Sequence, residues 1–378
     1  MFSFIKSSIL LTLVLLLLSP IFSKGQATRV LLYEGKIGKA SVVMELTLNG
    51  SEIFGTYYYK RFKKSIELQG KYVGPKTIEL VFENGDATET FLLKDIGSET
   101  ESIYSGTWKN GTSKAPLPVS LKEADFSKVI AKNAYVKYTK LSEYDYSILA
   151  DIQFKQDSIQ KINTEFSITW LRDTLSNFSS FRINKNGVSK SIDSINIFLE
   201  RLHFSELLSY LDCPGSDYNS FLRNVYIRNH VLSFALSVNL FCGGAHPDFA
   251  TSGYTFNIET GLEMELTDFL FFGKTKKDYK ESEDYKLGGE VMEPNVVKLL
   301  TKLYPDDMKK PTDEDENCDY SDPDVWDYTA WYLTEAGLYL YPSFYRAARA
   351  CDGADFSVIP YTTLIKYKNP AVVIPMKY

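Results

Sequence analysis

Between residues 28 and 122 the chain is written as eight short alternating segments, and nothing else in it restricts the fold as tightly. RVLLYEG, ASVVMELTLNG, EIFGTYYYK, KSIELQGKYV, KTIELVFENG, ETFLLKD, SIYSGTWKNG and PLPVSL follow in series, most of them ending at Gly, Asn-Gly or a charged turn. Period-2 alternation sends successive side chains to opposite faces of a strand, and Gly or Asn-Gly supplies the positive φ of a tight hairpin. The spacing therefore predicts an antiparallel meander. Closing it into a small barrel would remove both exposed edges; a two-sheet sandwich is the alternative. The stretch contains no histidine and no cysteine, so it offers no nucleophile–base pair.

Residues 123–134 read as a linker, and from 135 to 378 the pattern changes, with a first half at 135–230 and a second at 231–378. YSILADIQF reads as a strand. DSIQKINTEFSITWLRDTLSN carries Ile159, Ile162, Phe166 and Leu171 at roughly helical spacing. SIDSINIFLERLHFSELLSYLD does so more clearly, through Ile195, Phe198, Leu199, Leu202 and Leu211, with Ser191 as the expected cap. FLRNVYIRNHVLSFALSVNLFC reads as two strands turning at Asn229-His230, the second half-buried, with Leu232, Phe234, Leu236, Val238, Leu240 and Cys242 on its core face. A hairpin at 254–266, a helix with Pro294 in its first turn, a hairpin turning at Glu335–Gly337 and a last strand with Pro360 complete the pattern. The expected fold class is a mainly β N-terminal domain, barrel or sandwich, followed by an α+β domain with helices packed on an antiparallel sheet. The 26 tyrosines and 24 phenylalanines favour β structure in the same way.

The first 27 residues set the expected compartment. Lys6 is the only charge before SSILLTLVLLLLSPIF, and small residues Ser23, Gly25 and Ala27 follow. That is the plan of a secretory signal, cut after Gly25 or Ala27. A membrane helix needs about 20 apolar residues, and this run is shorter and broken by Pro20. No cysteine lies near the cut for a lipid anchor, and no later run is long enough to span a bilayer. Loss of Lys6 and Lys24 leaves 40 basic against 48 acidic residues, a net charge of −8. Such a surface argues against nucleic acid and anionic lipid and suits a cationic partner. In an exported chain, Cys213, Cys242, Cys318 and Cys351 predict two disulfides, and the local pairs Cys213–Cys242 and Cys318–Cys351 are preferred over the other two connectivities. The spacing lacks the CxxC knuckle of a zinc site, so no metal and no cofactor are expected.

Three stretches concentrate chemistry-bearing residues. In LFCGGAHPDF, His246 and Asp248 lie two apart and share a side of an extended segment, so they are the candidate catalytic or ligand-contacting pair. The competing account is a wide turn with its histidine bonded to backbone. TDEDENCDYSDPDVWD, residues 312–327, is acidic, but an EF-hand calcium loop wants Gly at its sixth position and Glu at its twelfth, where a loop starting at Asp313 has Cys318 and Asp324. The aromatic series around the last hairpin supplies Trp331, Tyr339 and Tyr341 as candidate ligand-binding residues, since exposed aromatics stack on sugars and anchor interfaces; about half of a hairpin's side chains must face the core, and core packing is the favoured account of the series. There is no GxSxG, HExxH, P-loop or dinucleotide fingerprint.

GGAHPDFATSGYTFNIETGLEMELTDF and YLTEAGLYLYPSFYRAARACDGADFSVIPYTTL resemble the C-terminal extracellular domain of RsiV-type anti-sigma factors, which also accompanies PdaC-type deacetylases. The matching positions run from Gly243, Gly244, Ala245 and His246 through Asn257, Thr260, Gly261, Leu266, Asp268, Phe269 and Leu270 to Gly337, Leu338, Tyr341, Tyr345, Ala348, Gly353, Ile359, Tyr361 and Leu364. The resemblance covers about 235–368, with 125–230 as the usual preceding half. It implies an envelope location and a binding role, lysozyme being the ligand of the anti-sigma factors. This chain has neither their sigma-binding segment nor the deacetylase's metal motif. The function expected from the sequence is thus a periplasmic or extracellular non-catalytic binding protein, with a lysozyme-like cationic protein or a cell-wall glycan as partner. The rivals are a cell-wall hydrolase using His246 and Asp248, and a purely structural envelope protein.

Overall fold

The computed structural model describes residues 28–369 apart from 85–86, 99, 112–114, 126–129, 188, 214–216, 244, 273–291, 313–317 and 328. The signal segment, Gly244, Tyr328 and the centre of the acidic stretch therefore lie outside the described residues. By their contacts the residues divide into two units, Met1–Arg61 with Ile66–Asp125, and Phe62–Ser65 with Phe126–Tyr378.

The first unit is a closed antiparallel barrel: β1 (Arg29–Ile37), β2 (Ala40–Asn49), β3 (Glu52–Tyr59), β4 (Ile66–Gly74), β5 (Thr77–Asn84), β6 (Ala87–Asp95), β7 (Ile103–Asn110) and β8 (Leu117–Glu123). Each strand pairs with the next, and β1 pairs with β8 to close the ring. The inward residues of the alternating pattern, among them Met44, Leu46, Tyr57, Leu80 and Phe91, fill the interior and are fully buried. One carboxylate joins them: Glu89 accepts from the Tyr57 hydroxyl and from Trp108 Nε1 at 3.1 Å. Burial and that carboxylate push the Tyr57 hydroxyl far above its ordinary pKa, so it remains a donor.

The second unit is α+β. Its elements are α1 (Ala134–Tyr138), α2 (Glu143–Leu149), β9 (Lys155–Lys161), β10 (Phe166–Arg172), β11 (Ser179–Lys185), α3 (Lys190–Asp212), β12 (Asp217–Arg228), β13 (Val231–Phe241), β14 (Asp248–Asn257), β15 (Leu262–Glu263), α4 (Leu266–Phe269), α5 (Met292–Leu303), β16 (Ala330–Leu333), β17 (Gly337–Tyr341), β18 (Val358–Pro360) and α6 (Tyr361–Leu364). The strands form three antiparallel sheets, ordered β11-β10-β9, β12-β13-β14-β15 and β16-β17-β18. Long helix α3 contributes Ile192, Ile195 and Leu199 to a core shared with Phe166, Phe181, Leu232 and Phe234. A second core gathers α5 and the inner face of the last sheet.

Several local expectations are corrected. YSILADIQF contains the end of helix α2, which Ser142 starts by accepting the Asp145 amide at 3.0 Å, burying Tyr144, Ile148 and Leu149. Residues 157–177 contain the hairpin β9–β10, not a helix. Asn163 makes the turn, its Oδ1 accepting the amides of Glu165 and Phe166 at 2.8 Å each. The α3 cap position is Ser189, not Ser191. The β12–β13 turn is at Asn229-His230, both at positive φ (46° and 65°), as a two-residue hairpin requires. From Val231 to Ser237 strand β13 is buried on both faces rather than one. Its Ser233 hydroxyl accepts the Leu333 amide of β16 at 2.8 Å, so the last sheet lies on the side the sequence reads as open. Close stacking there needs Gly253 of β14, where a Cβ would sit 1.8 Å from the Trp331 carbonyl oxygen. Both disulfides, Cys213–Cys242 and Cys318–Cys351, are formed.

Candidate functional site

Strand parity decides which aromatics of the last hairpin can meet a ligand. Opposite pairs are Trp331 with Leu340, Tyr332 with Tyr339, and Ala330 with Tyr341. Side chains alternate along a strand, so Trp331 falls with Leu333, Leu338 and Leu340, while Tyr332, Tyr339 and Tyr341 share the other face. Trp331 packs on the second core, 5.5 Å from the Phe269 ring. It is thus a packing residue, as the core-packing account of the series has it, and not one of the rings that face a ligand cavity.

The tyrosine face borders a cavity of about 370 Å³, lined by Arg223, Asn224, Tyr332, Thr334, Tyr339, Tyr341, Asp352, Gly353 and Asp355. That volume lies within the roughly 300–1,000 Å³ of small-molecule sites. Arg223 and Asn224 reach it through an irregularity in β12. The register with β13 shifts between Arg223 and Tyr226, and Asn224 takes φ 54°. A bulge of this kind re-aims side chains. The Asn224 amide then donates to the Tyr332 hydroxyl at 3.2 Å. Behind the tyrosines, a Cβ at Gly353 would come within 2.5 Å of the Tyr341 ring, so only glycine, here at φ 72°, lets the ring settle there.

The electrostatics favour donors on one side and an acceptor on the other. Burial raises the Tyr332 and Tyr339 hydroxyls above their ordinary pKa, Asp355 adds to the effect, and Arg223 opposes it without cancelling it. Both remain protonated at neutral pH. Asp352 is already occupied: its Oδ1 accepts the Phe344 amide at 2.7 Å and its Oδ2 accepts from Arg349 at 3.3 Å. Asp355 is exposed.

Two further cavities belong to this unit. One of about 220 Å³ is bordered by Phe154, Ser180, Arg182, Glu200 and Phe204 among others. The other, about 510 Å³, is more open and bordered by Asp306, Lys309, Lys310, Cys318 and Tyr320. His246 and Asp248 line none of the three. His246 is exposed. Asp248 is held by the Arg349 guanidinium and accepts the Phe249 amide at 2.9 Å. None of these three cavities brings the pair together.

A triad-like chain escaped the sequence reading. Ser180 Oγ lies 2.7 Å from His203 Nδ1, and His203 Nε2 lies 3.1 Å from Asp173 Oδ2. Asp173 also accepts from the Ser176 hydroxyl and from the amides of Leu175 and Ser176. Burial pushes the Asp173 carboxyl up, but these hydrogen bonds together outweigh it and hold the group below its ordinary range. The exposures are 2 % for Ser180, 0 % for His203 and 1 % for Asp173, and Phe154 stacks on the imidazole at 3.7 Å. A relay so thoroughly closed from solvent is a satisfied core network. Sequence separation hid it: Asp173 and Ser180 lie on a loop and strand that only the packing of α3 brings to His203. No protein-family model and no curated protein matches this chain.

Proposed function

We propose that this chain is an exported, non-catalytic binding protein of the cell envelope, periplasmic or extracellular, and that its ligand is a hydroxyl-rich glycan segment seated in the Arg223–Tyr341 cavity. The carrying observation is the cavity itself, where three tyrosines from one face of the last sheet border a small concavity with an arginine, an asparagine and an exposed aspartate. Aromatic rings present apolar faces to sugar rings, while the polar groups fix hydroxyls. Two disulfides suit an oxidising compartment, and the apolar segment ahead of residue 28 supports export. The resemblance to the RsiV-type domain points to a binding module as well. The hydrolase reading needs His246 and Asp248 in one concavity, and is not carried further.

The competing ligand is a lysozyme-like cationic protein, favoured by the acidic balance of the chain. Calorimetry with N-acetylglucosamine oligomers, glucuronate-containing oligomers and lysozyme tests the choice. Micromolar binding of a saccharide, lost in Tyr341→Ala, is the expected result. Binding of lysozyme alone, unaffected by Tyr341→Ala, would refute the glycan reading.

A further inference from the structure

We infer that the cavity selects a saccharide bearing a carboxylate, with Arg223 as its anchor; the inference rests on the glycan reading above. Arg223 is an unanswered charge. Among the described residues its only hydrogen bond is Nη2 to Thr251 Oγ1 at 3.1 Å, its buried Nε has no acceptor, and no carboxylate forms an ion pair with it. The other arginine near the cavity shows the contrast: Arg349 is paired with both Asp248 and Asp352. A guanidinium is a planar fork matched to a carboxylate, and leaving one of its donors buried without an acceptor costs stability. Proteins accept that cost where an acceptor arrives with a ligand.

The neighbours complete the recognition. Asn224 donates to the Tyr332 oxygen, which leaves the Tyr332 proton free to donate in turn. A ligand carboxylate against Arg223 is therefore within a donor-lined region. The two aspartates do not abolish this preference. Asp352 is spent on Phe344 and Arg349, with its side chain 1 % exposed. Asp355 is exposed and has no hydrogen bond among the described residues, so it serves as an acceptor for sugar hydroxyls. A neutral sugar would leave Arg223 unanswered; a bare anion would leave Asp355 and the tyrosine faces unused. A carboxylated sugar satisfies all three.

The test compares two tetrasaccharides of equal length on the full chain with its disulfides formed: one of N-acetylglucosamine alone, one alternating N-acetylglucosamine with glucuronate. Calorimetry should show the acidic tetrasaccharide binding at least about tenfold tighter. Arg223→Gln should weaken it by about tenfold to a hundredfold, the range of a charge-assisted hydrogen bond, and weaken the neutral one far less. Arg223→Lys should keep part of the preference. Asp355→Asn should tighten the acidic ligand a few-fold by removing a like charge, an effect no folding defect produces. Equal affinities that Arg223→Gln does not alter would overturn the carboxylate anchor and leave the glycan reading standing. Absence of binding by either saccharide would overturn both. A trialanine peptide that binds through its free carboxylate, and loses binding in Arg223→Gln, would overturn the saccharide assignment while keeping the anchor.

Discussion

Replacing His203 with leucine probes the buried Asp173–His203–Ser180 chain, and its cost can be worked from the geometry. Leucine keeps the apolar environment but removes both ring nitrogens. Ser180, 2 % exposed and bonded through its hydroxyl to Nδ1 at 2.7 Å, is left buried without that partner, which costs about 1–3 kcal/mol. Asp173 loses the Nε2 bond but keeps the Ser176 hydroxyl and two amides, so its loss is nearer about 1.5 kcal/mol than the full penalty of an isolated buried charge. Loss of the stacked contact with Phe154 adds about 0.5–1 kcal/mol. The expected total is about 3–5 kcal/mol, read as a fall in the urea midpoint with the disulfides intact and near-UV circular dichroism as the probe. Ser180→Ala is the internal control. Alone it should destabilise, but in the His203→Leu background it should restore about 1 kcal/mol, because it removes the orphaned hydroxyl. The pH dependence has a defined sign. Asp173 titrates lower when folded than unfolded, so its contribution is complete above the ordinary carboxylate value of 3.8 and is lost as pH falls through the lower folded value. His203→Leu should therefore flatten the acid limb of the stability curve. A cost below about 1 kcal/mol, or a Ser180→Ala effect that is the same in both backgrounds, would refute the reading of the chain as a coupled core network.

Other residues give sharper contrasts. Cys213→Ser/Cys242→Ser opens a disulfide with a sequence separation of 29 and should cost about 3.5 kcal/mol in the chain-entropy model, read by thermal unfolding. His246→Ala should leave both stability and saccharide affinity unchanged within about 0.5 kcal/mol, because the side chain is exposed and lines none of the three cavities; loss of an activity or of binding in this variant would revive a role for the GGAHPD turn. Gly253→Ala should destabilise by more than about 2 kcal/mol, since its methyl group meets the Trp331 backbone and forces the two sheets apart; chemical denaturation measures it. Trp331→Ala should cost about 3–5 kcal/mol of stability while changing the preference between the acidic and neutral saccharides little, whereas Tyr341→Ala should lower affinity at modest stability cost.

The antiparallel meander of the first unit, the β12–β13 hairpin and the preferred disulfide partners were legible in the residues because each rests on local information, whereas closure of the meander through the β1–β8 pairing was left open. Strand alternation, Asn-Gly turns and the positive φ of Asn229 and His230 are properties of neighbours in the chain. Residues 157–177 show where that fails. Ile159, Ile162 and Phe166 satisfy a helical spacing, while Phe166, Ile168 and Trp170 satisfy a strand; the Asn163 turn and pairing with β11 settle the matter. The aromatic hairpin was read correctly as a hairpin, yet the residues did not say which of its aromatics face the core, because hydrophobicity does not say which face of a strand meets the core. The cavity lay further from view. Arg223 comes from a bulged strand, Tyr332, Tyr339 and Tyr341 from another sheet, and Asp355 from the loop after Cys351, and no spacing rule connects them. What the sequence by itself determined is the set of locally encoded elements: strands, turns and cross-links. Which side chains share a face, and which charge is left without a partner, only the tertiary structure decided, because burial and pairing are properties of what the fold brings against a residue.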